Sequence, residues 1–89
     1  MTPATQPRRS PEEVDQLGQA IFERRVRPLL TPEDDGKYVA IDIGTEEYEI
    51  DGIDWNAIER LIARRRGAEI WVMRFGKPYR MSYRLRFGQ

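Results

Sequence analysis

The chain has no cysteine and no histidine among its 89 residues. Without cysteine there is no disulfide and no thiolate metal site. Without histidine the commonest zinc ligand and the usual general base near neutral pH are missing too. A nucleophile–base pair would have to be built around Lys37 or Lys77, so the sequence is expected to be noncatalytic, with no catalytic residues, no metal ligands and no cofactor. Long hydrophobic runs are also absent: none approaches the roughly 18–20 apolar residues of a membrane span, and no signal-peptide core opens the chain. The expectation is a cytoplasmic protein without a membrane partner. Net charge is lacking as well, 15 basic side chains balancing 15 acidic ones, which disfavours a globally basic nucleic-acid binder.

The balance hides a local split. Residues 33–54 carry nine acids (Glu33, Asp34, Asp35, Asp42, Glu46, Glu47, Glu49, Asp51, Asp54) against Lys37 alone, a net of −8. Residues 67–89 carry Arg74, Lys77, Arg80, Arg84 and Arg86 against Glu69, a net of +4. Either the two regions pair across one sheet, or each faces a partner, a second copy of the chain included.

A chain of this length makes one domain with one modest core, burying about 60–65% of its unfolded surface. Residues 1–9 hold proline and polar residues without periodicity and read as a disordered tail ahead of a single domain at 10–89. Ser10-Pro11-Glu12-Glu13 is a helix start with a capping box. The helix is expected to run to about Arg25, with Val14, Leu17, Ile21 and Phe22 inward, until Arg27-Pro28 limits it. Thr31-Pro32-Glu33-Asp34 reads as a single turn. Lys37 to Ile43 and Tyr48 to Asp51 form a hairpin around Gly44-Thr45-Glu46-Glu47.

Asp54 is the expected cap of a second helix over Trp55–Arg66, with Trp55, Ile58, Leu61 and Ile62 as its stripe and Gly67 at C′. Arg64-Arg65-Arg66 then suit the negative end of its dipole. Glu69 to Phe75 is a strand apolar on both faces. Tyr79, Met81, Tyr83, Leu85 and Phe87 alternate with Arg80, Ser82, Arg84 and Arg86 in a half-buried last strand. The expected fold is α+β in the order α-β-β-α-β-β: a four-stranded, mainly antiparallel sheet of two hairpins with both helices on one face.

Several patterns suggest chemistry and are better explained by structure. Val39-Ala40-Ile41-Asp42-Ile43-Gly44-Thr45 resembles the first phosphate loop of actin-like ATPases and sugar kinases, but that fold needs two large lobes, and Glu46-Glu47 would repel phosphate. Asp42-Ile43-Gly44-Thr45 is expected to be a hairpin end. Asp51-Gly52-Ile53-Asp54 lacks the further ligands of a calcium loop. For partner binding, aromatic and arginine side chains most often dominate interface energy, which selects a patch centred on Trp71 and Phe75 and ringed by Arg74, Arg80, Arg84 and Arg86. Pairing of a strand edge is a second route. The expected role is a protein–protein interaction module or self-associating domain. The alternative is a small nucleic-acid-binding protein using Arg74, Arg80, Arg84 and Arg86 on the sheet face.

Four segments also keep a common order and spacing: Ile21-Phe22-Glu23-Arg24-Arg25-Val26-Arg27-Pro28, Gly36-Lys37-Tyr38-Val39-Ala40-Ile41-Asp42-Ile43, Tyr48-Glu49-Ile50-Asp51 and Arg74-Phe75-Gly76. Together, over roughly residues 20–76, they resemble a group of small bacterial proteins of unassigned activity, frequent in cyanobacteria. Genes of that group often lie beside one for a retropepsin-like protease or a toxin-like protein. The resemblance implies a binding role, as the antitoxin-like or regulatory member of a two-protein system, and names no catalytic residue.

Overall fold

The computed structural model describes residues 9–76 and 82–86. Helix α1 spans Pro11–Ile21 and starts as its sequence dictates: the Ser10 hydroxyl accepts from the Glu13 amide at 3.1 Å, and the Glu13 carboxylate accepts from the Ser10 amide at 2.8 Å. The helix then widens into a π-turn at Phe22–Val26 and tightens into a 3₁₀ turn at Arg27–Leu29. In the wide turn the Arg27 amide donates to the Phe22 carbonyl, and both Phe22 and Val26 are buried. A second capping box, Thr31 with Asp34, closes the expected single turn at Pro32–Asp34. Of the expected tail, Arg9 alone is described; its guanidinium donates to Glu69 at 2.8 Å.

Strands β1 (Tyr38–Asp42) and β2 (Tyr48–Asp51), helix α2 (Asp54–Arg64), and strands β3 (Glu69–Arg74) and β4 (Ser82–Arg86) follow. The sheet order is β2-β1-β3-β4 with every neighbouring pair antiparallel, an α+β domain of two hairpins joined along β1 and β3. Tyr79, Arg80, Met81 and Phe87, expected within the last strand, lie outside the described residues.

The helices do not share a face of the sheet. Val14, Ile21, Phe22 and Val26 pack with Val39, Ile41, Ile43, Trp71 and Met73 on one side. Ala57, Ile58 and Leu61 of α2 pack with Ala40, Ala68, Ile70 and Val72 on the other. The expectation of two helices on one face is therefore corrected. The physical reason lies in the central strands: consecutive residues Val39–Ile43 and Ile70–Met73 are all buried, which requires apolar cover above and below.

Three local expectations change with it. Leu17 is 39% exposed, and Gly18 takes the buried position instead. Trp55 is 47% exposed, its indole N–H donating to Glu59 at 2.8 Å, and Ala57 replaces it in the stripe. Asp54 is the first residue of α2 rather than its cap, because Ile53 occupies the cap position and Asp51 accepts the Ile53 amide at 2.9 Å. The helix also ends before Arg65, whose extended backbone (φ −153°, ψ 116°) lets its side chain turn back toward β1.

Candidate functional site

The acids of the first hairpin are met inside the molecule by arginines that lie outside the basic region, although the two regions are joined along the β1–β3 ladder. Strands β2 and β4 are the opposite outer strands, so acidic β2 never meets arginine-rich β4. Its acids are met by α2: Arg60 pairs with Glu49 at 2.7 Å and Asp51 at 3.1 Å, and Arg64 pairs with Glu47 at 3.0 Å and also with Glu49. At the hairpin turn Arg24 reaches Glu46 at 3.2 Å, although Glu46 sits at a positive φ of 68°.

Asp42, 2% exposed, receives Arg65 on both oxygens, at 3.0 and 2.7 Å, and the Gly44 amide at 2.9 Å. Burial alone would raise its pKa. The Arg65 hydrogen bonds, with the Gly44 and Thr45 amides, outweigh that and hold the carboxyl below its ordinary range. The Asp-x-Gly-Thr segment is thus a hairpin end locked by an arginine. Its Gly44 leaves room for that arginine, since a Cβ there would lie 2.6 Å from the Arg65 guanidinium.

The expected Trp71-centred patch does not assemble on the surface. Trp71 is 2% exposed beneath α1. Arg74 follows Ile70 and Val72 by alternation onto the α2 side, away from Phe75. Arg84 faces the α1 side, where it donates to both oxygens of Asp15 at 3.2 and 3.3 Å. Arg86 ends β4 at the register position opposite Glu69, and Arg80 lies outside the described residues.

Phe75 is the member of that set that reaches a cavity. Its ring lies 6.2 Å from that of Phe22, tilted by 47°. The two rings line an open cleft of about 500 Å³ together with Arg27, Leu30, Thr31, Pro32, Asp35 and Gly76. The cleft lies between the π-turn and the end of β3, and the 30–36 loop makes its wall. That loop is tied to the end of β3 at its C-terminal side. The Gly36 amide donates to the Phe75 carbonyl at 2.7 Å, and the Phe75 amide donates to the Lys37 carbonyl at 2.8 Å.

Within the loop, the Thr31 amide, followed by the Lys37 ammonium, holds the Asp34 carboxyl below its ordinary range. Gly76 at φ +130° is required where it stands, because a Cβ there would press within 2.9 Å of the Asp35 carboxyl carbon. Arg27 is engaged by Glu23 at 2.9 Å. The cleft therefore has an apolar floor, a fixed wall and one carboxylate, Asp35, with no ion pair among the described residues. Leu29, the residue before Leu30, is 59% exposed.

Sequence reading found Phe75 and missed the rest of the cleft. The apolar Pro28-Leu29-Leu30-Thr31-Pro32 run between two prolines was its available signal. Among the described residues no helix is long and apolar enough to cross a membrane, and no cluster of carboxylates could hold a metal ion. No family model, curated protein or solved structure matches the chain.

Proposed function

We propose that this chain is a noncatalytic protein-interaction module that receives an apolar side chain of a partner protein in the cleft floored by Phe22 and Phe75. The observation that carries this reading is the cleft itself: aromatic and aliphatic lining, a volume of about 500 Å³ and a wall fixed by backbone hydrogen bonds. A fixed wall suits binding because little ordering entropy is lost when a partner docks. The absence of histidine and cysteine from the sequence supports a noncatalytic role. The sequence resemblance extends the proposal to the antitoxin-like or regulatory member of a two-protein bacterial system.

Nucleic-acid binding through the sheet has less support. A single-strand platform sets aromatics and arginines on one open face. Here Trp71 is buried, Arg74 and Arg84 lie on opposite sides, and Arg84 is engaged by Asp15.

The test is capture of partners from lysate on the tagged protein, with and without nuclease, comparing the parent with Leu30→Asp and Arg84→Glu. The expected result is one stoichiometric protein that survives nuclease, persists with Arg84→Glu and disappears with folded Leu30→Asp. Capture that vanishes with nuclease and with Arg84→Glu, yet is untouched by Leu30→Asp, overturns the reading in favour of nucleic acid.

A further inference from the structure

An outer strand presents unpaired backbone groups that another chain can adopt as a template. On β2 their direction follows from the register. The Asp42 amide donates to the Glu47 carbonyl at 2.8 Å, and Ile41 lies opposite Tyr48 and Val39 opposite Ile50. Bonded and non-bonded pairs alternate along an antiparallel ladder. Glu47, Glu49 and Asp51 therefore turn their backbone groups toward β1, while Tyr48 and Ile50 turn theirs outward. The other side of β1 agrees, since the Ile43 amide points away from β2 and donates to the Glu69 carbonyl at 2.9 Å.

One of these outward groups is occupied. Arg60 of α2 donates from Nη2 to the Ile50 carbonyl at 3.3 Å. The same guanidinium is held on both flanks of Ile50, with Nε on Glu49 at 2.7 Å and Nη2 on Asp51 at 3.1 Å. Arg64, one turn further along α2, binds the carboxylates of Glu47 and Glu49 and makes no hydrogen bond to the strand backbone among the described residues. Two arginines on one helix thus treat the same strand differently: one neutralises it, the other also closes its edge.

We propose that Arg60 is an edge guard that keeps β2 from pairing with β2 of a second copy of this chain. A second copy fits because Tyr48 and Ile50 offer the same outward donors and acceptors on both sides of a two-fold axis. In that arrangement the two sheets would join into one, and the neighbouring Tyr48 and Ile50 side chains, each half-buried against the α1-side core, would extend the apolar face across the junction. A guanidinium spanning Glu49 and Asp51 physically occupies the carbonyl such pairing needs.

The test uses the full chain with Arg60→Ala and Asp51→Asn together. This pair opens the edge at unchanged net charge and leaves an amide oxygen at position 51 to accept from Ile53. Sedimentation should show a concentration-dependent doubling of mass over the parent, with amide exchange at Tyr48 and Ile50 slowed at least tenfold. Arg64→Ala with Glu47→Gln removes the same charges without touching the edge and should keep the parent's mass. Adding Ile50→Pro to the opened variant, which deletes an outward N–H, should restore it. If the opened variant does not fold, Arg60→Lys, which keeps the charge but cannot fork, should show the same association at a smaller shift. An opened or Arg60→Lys variant with the parent's mass and exchange, association of the Arg64 control, or association that survives Ile50→Pro would each overturn the proposal.

Discussion

Gly18 of α1 lies against the face of the Trp71 indole so closely that a Cβ on Gly18 would stand 2.8 Å from Cε2 and nearer still to Cγ and Cδ2. This contact sets how near α1 comes to the sheet, and so where the π-turn and the cleft beyond it are held. It also seals Trp71 from solvent, leaving its indole N–H without an acceptor among the described residues. A glycine in mid-helix weakens the helix by about 1 kcal/mol relative to alanine. Its presence is explained by the ring beneath it.

Gly18→Ala should therefore destabilise the fold despite the better helix former. Overpacking costs roughly 1–3 kcal/mol and the propensity gain returns about 1, for an expected net loss of up to about 2 kcal/mol in urea unfolding. Combined with Trp71→Phe, which frees volume and removes the unpaired N–H, the loss should be smaller than the sum of the two single changes. Additive behaviour would show that the helix does not rest on this ring.

Much of the architecture was legible because local chemistry agreed with the fold. The Ser10–Glu13 box, the Thr31–Asp34 turn, the extended β1, the two-faced apolar run of β3 and the antiparallel hairpins all follow from short-range patterns. The rest depends on distance in space. Which helix covers which face is decided by packing on strands that are apolar on both sides. Nothing near Asp42 in sequence announces that Arg65, 23 residues away, will bind it. The cleft was illegible for the same reason, since Phe22, Leu30 and Phe75 meet only after α1, the loop and β3 have assembled.

The Asp42–Arg65 pair should control the acid limb of stability. The folded carboxyl titrates below its reference value of 3.8, so its contribution is present above that pH and is lost as pH falls through the folded value. Asp42→Asn should flatten the decline in melting temperature below about pH 4. Arg65→Ala, which leaves a buried carboxylate with backbone donors alone, should cost about 1–3 kcal/mol at neutral pH, moderated by the partial exposure of the guanidinium. An unchanged acid limb in Asp42→Asn would remove this pair from the account.

Tyr83 should control the alkaline limb. Its hydroxyl donates to Asp54 at the start of α2, tying β4 to that helix. Burial first, and then the Asp54 carboxylate, push its pKa above the ordinary phenol value. A raised folded pKa means that the contribution is full below about pH 10 and is lost as pH rises through the folded value. Tyr83→Phe should cost about 1 kcal/mol at neutral pH and weaken the alkaline decline, read from chemical unfolding at pH 7 to 11.

Arg84 offers the contrasting case. Its pair with Asp15 joins β4 to α1, but the side chains are 41% and 47% exposed, so water and salt screen the attraction. Exposed pairs typically contribute about 0–1 kcal/mol, and Arg84→Glu should therefore shift stability by no more than about 1 kcal/mol while reversing charge on the strand. That near-neutrality makes it a clean probe of the sheet face: the variant keeps the fold, so any loss of binding belongs to the arginine itself. Titrating a labelled single-stranded oligonucleotide into parent and variant at two salt concentrations reads this directly. Equal, weak binding by both is the expected outcome. A steep salt dependence in the parent that disappears in Arg84→Glu would return the arginine strand to a functional role.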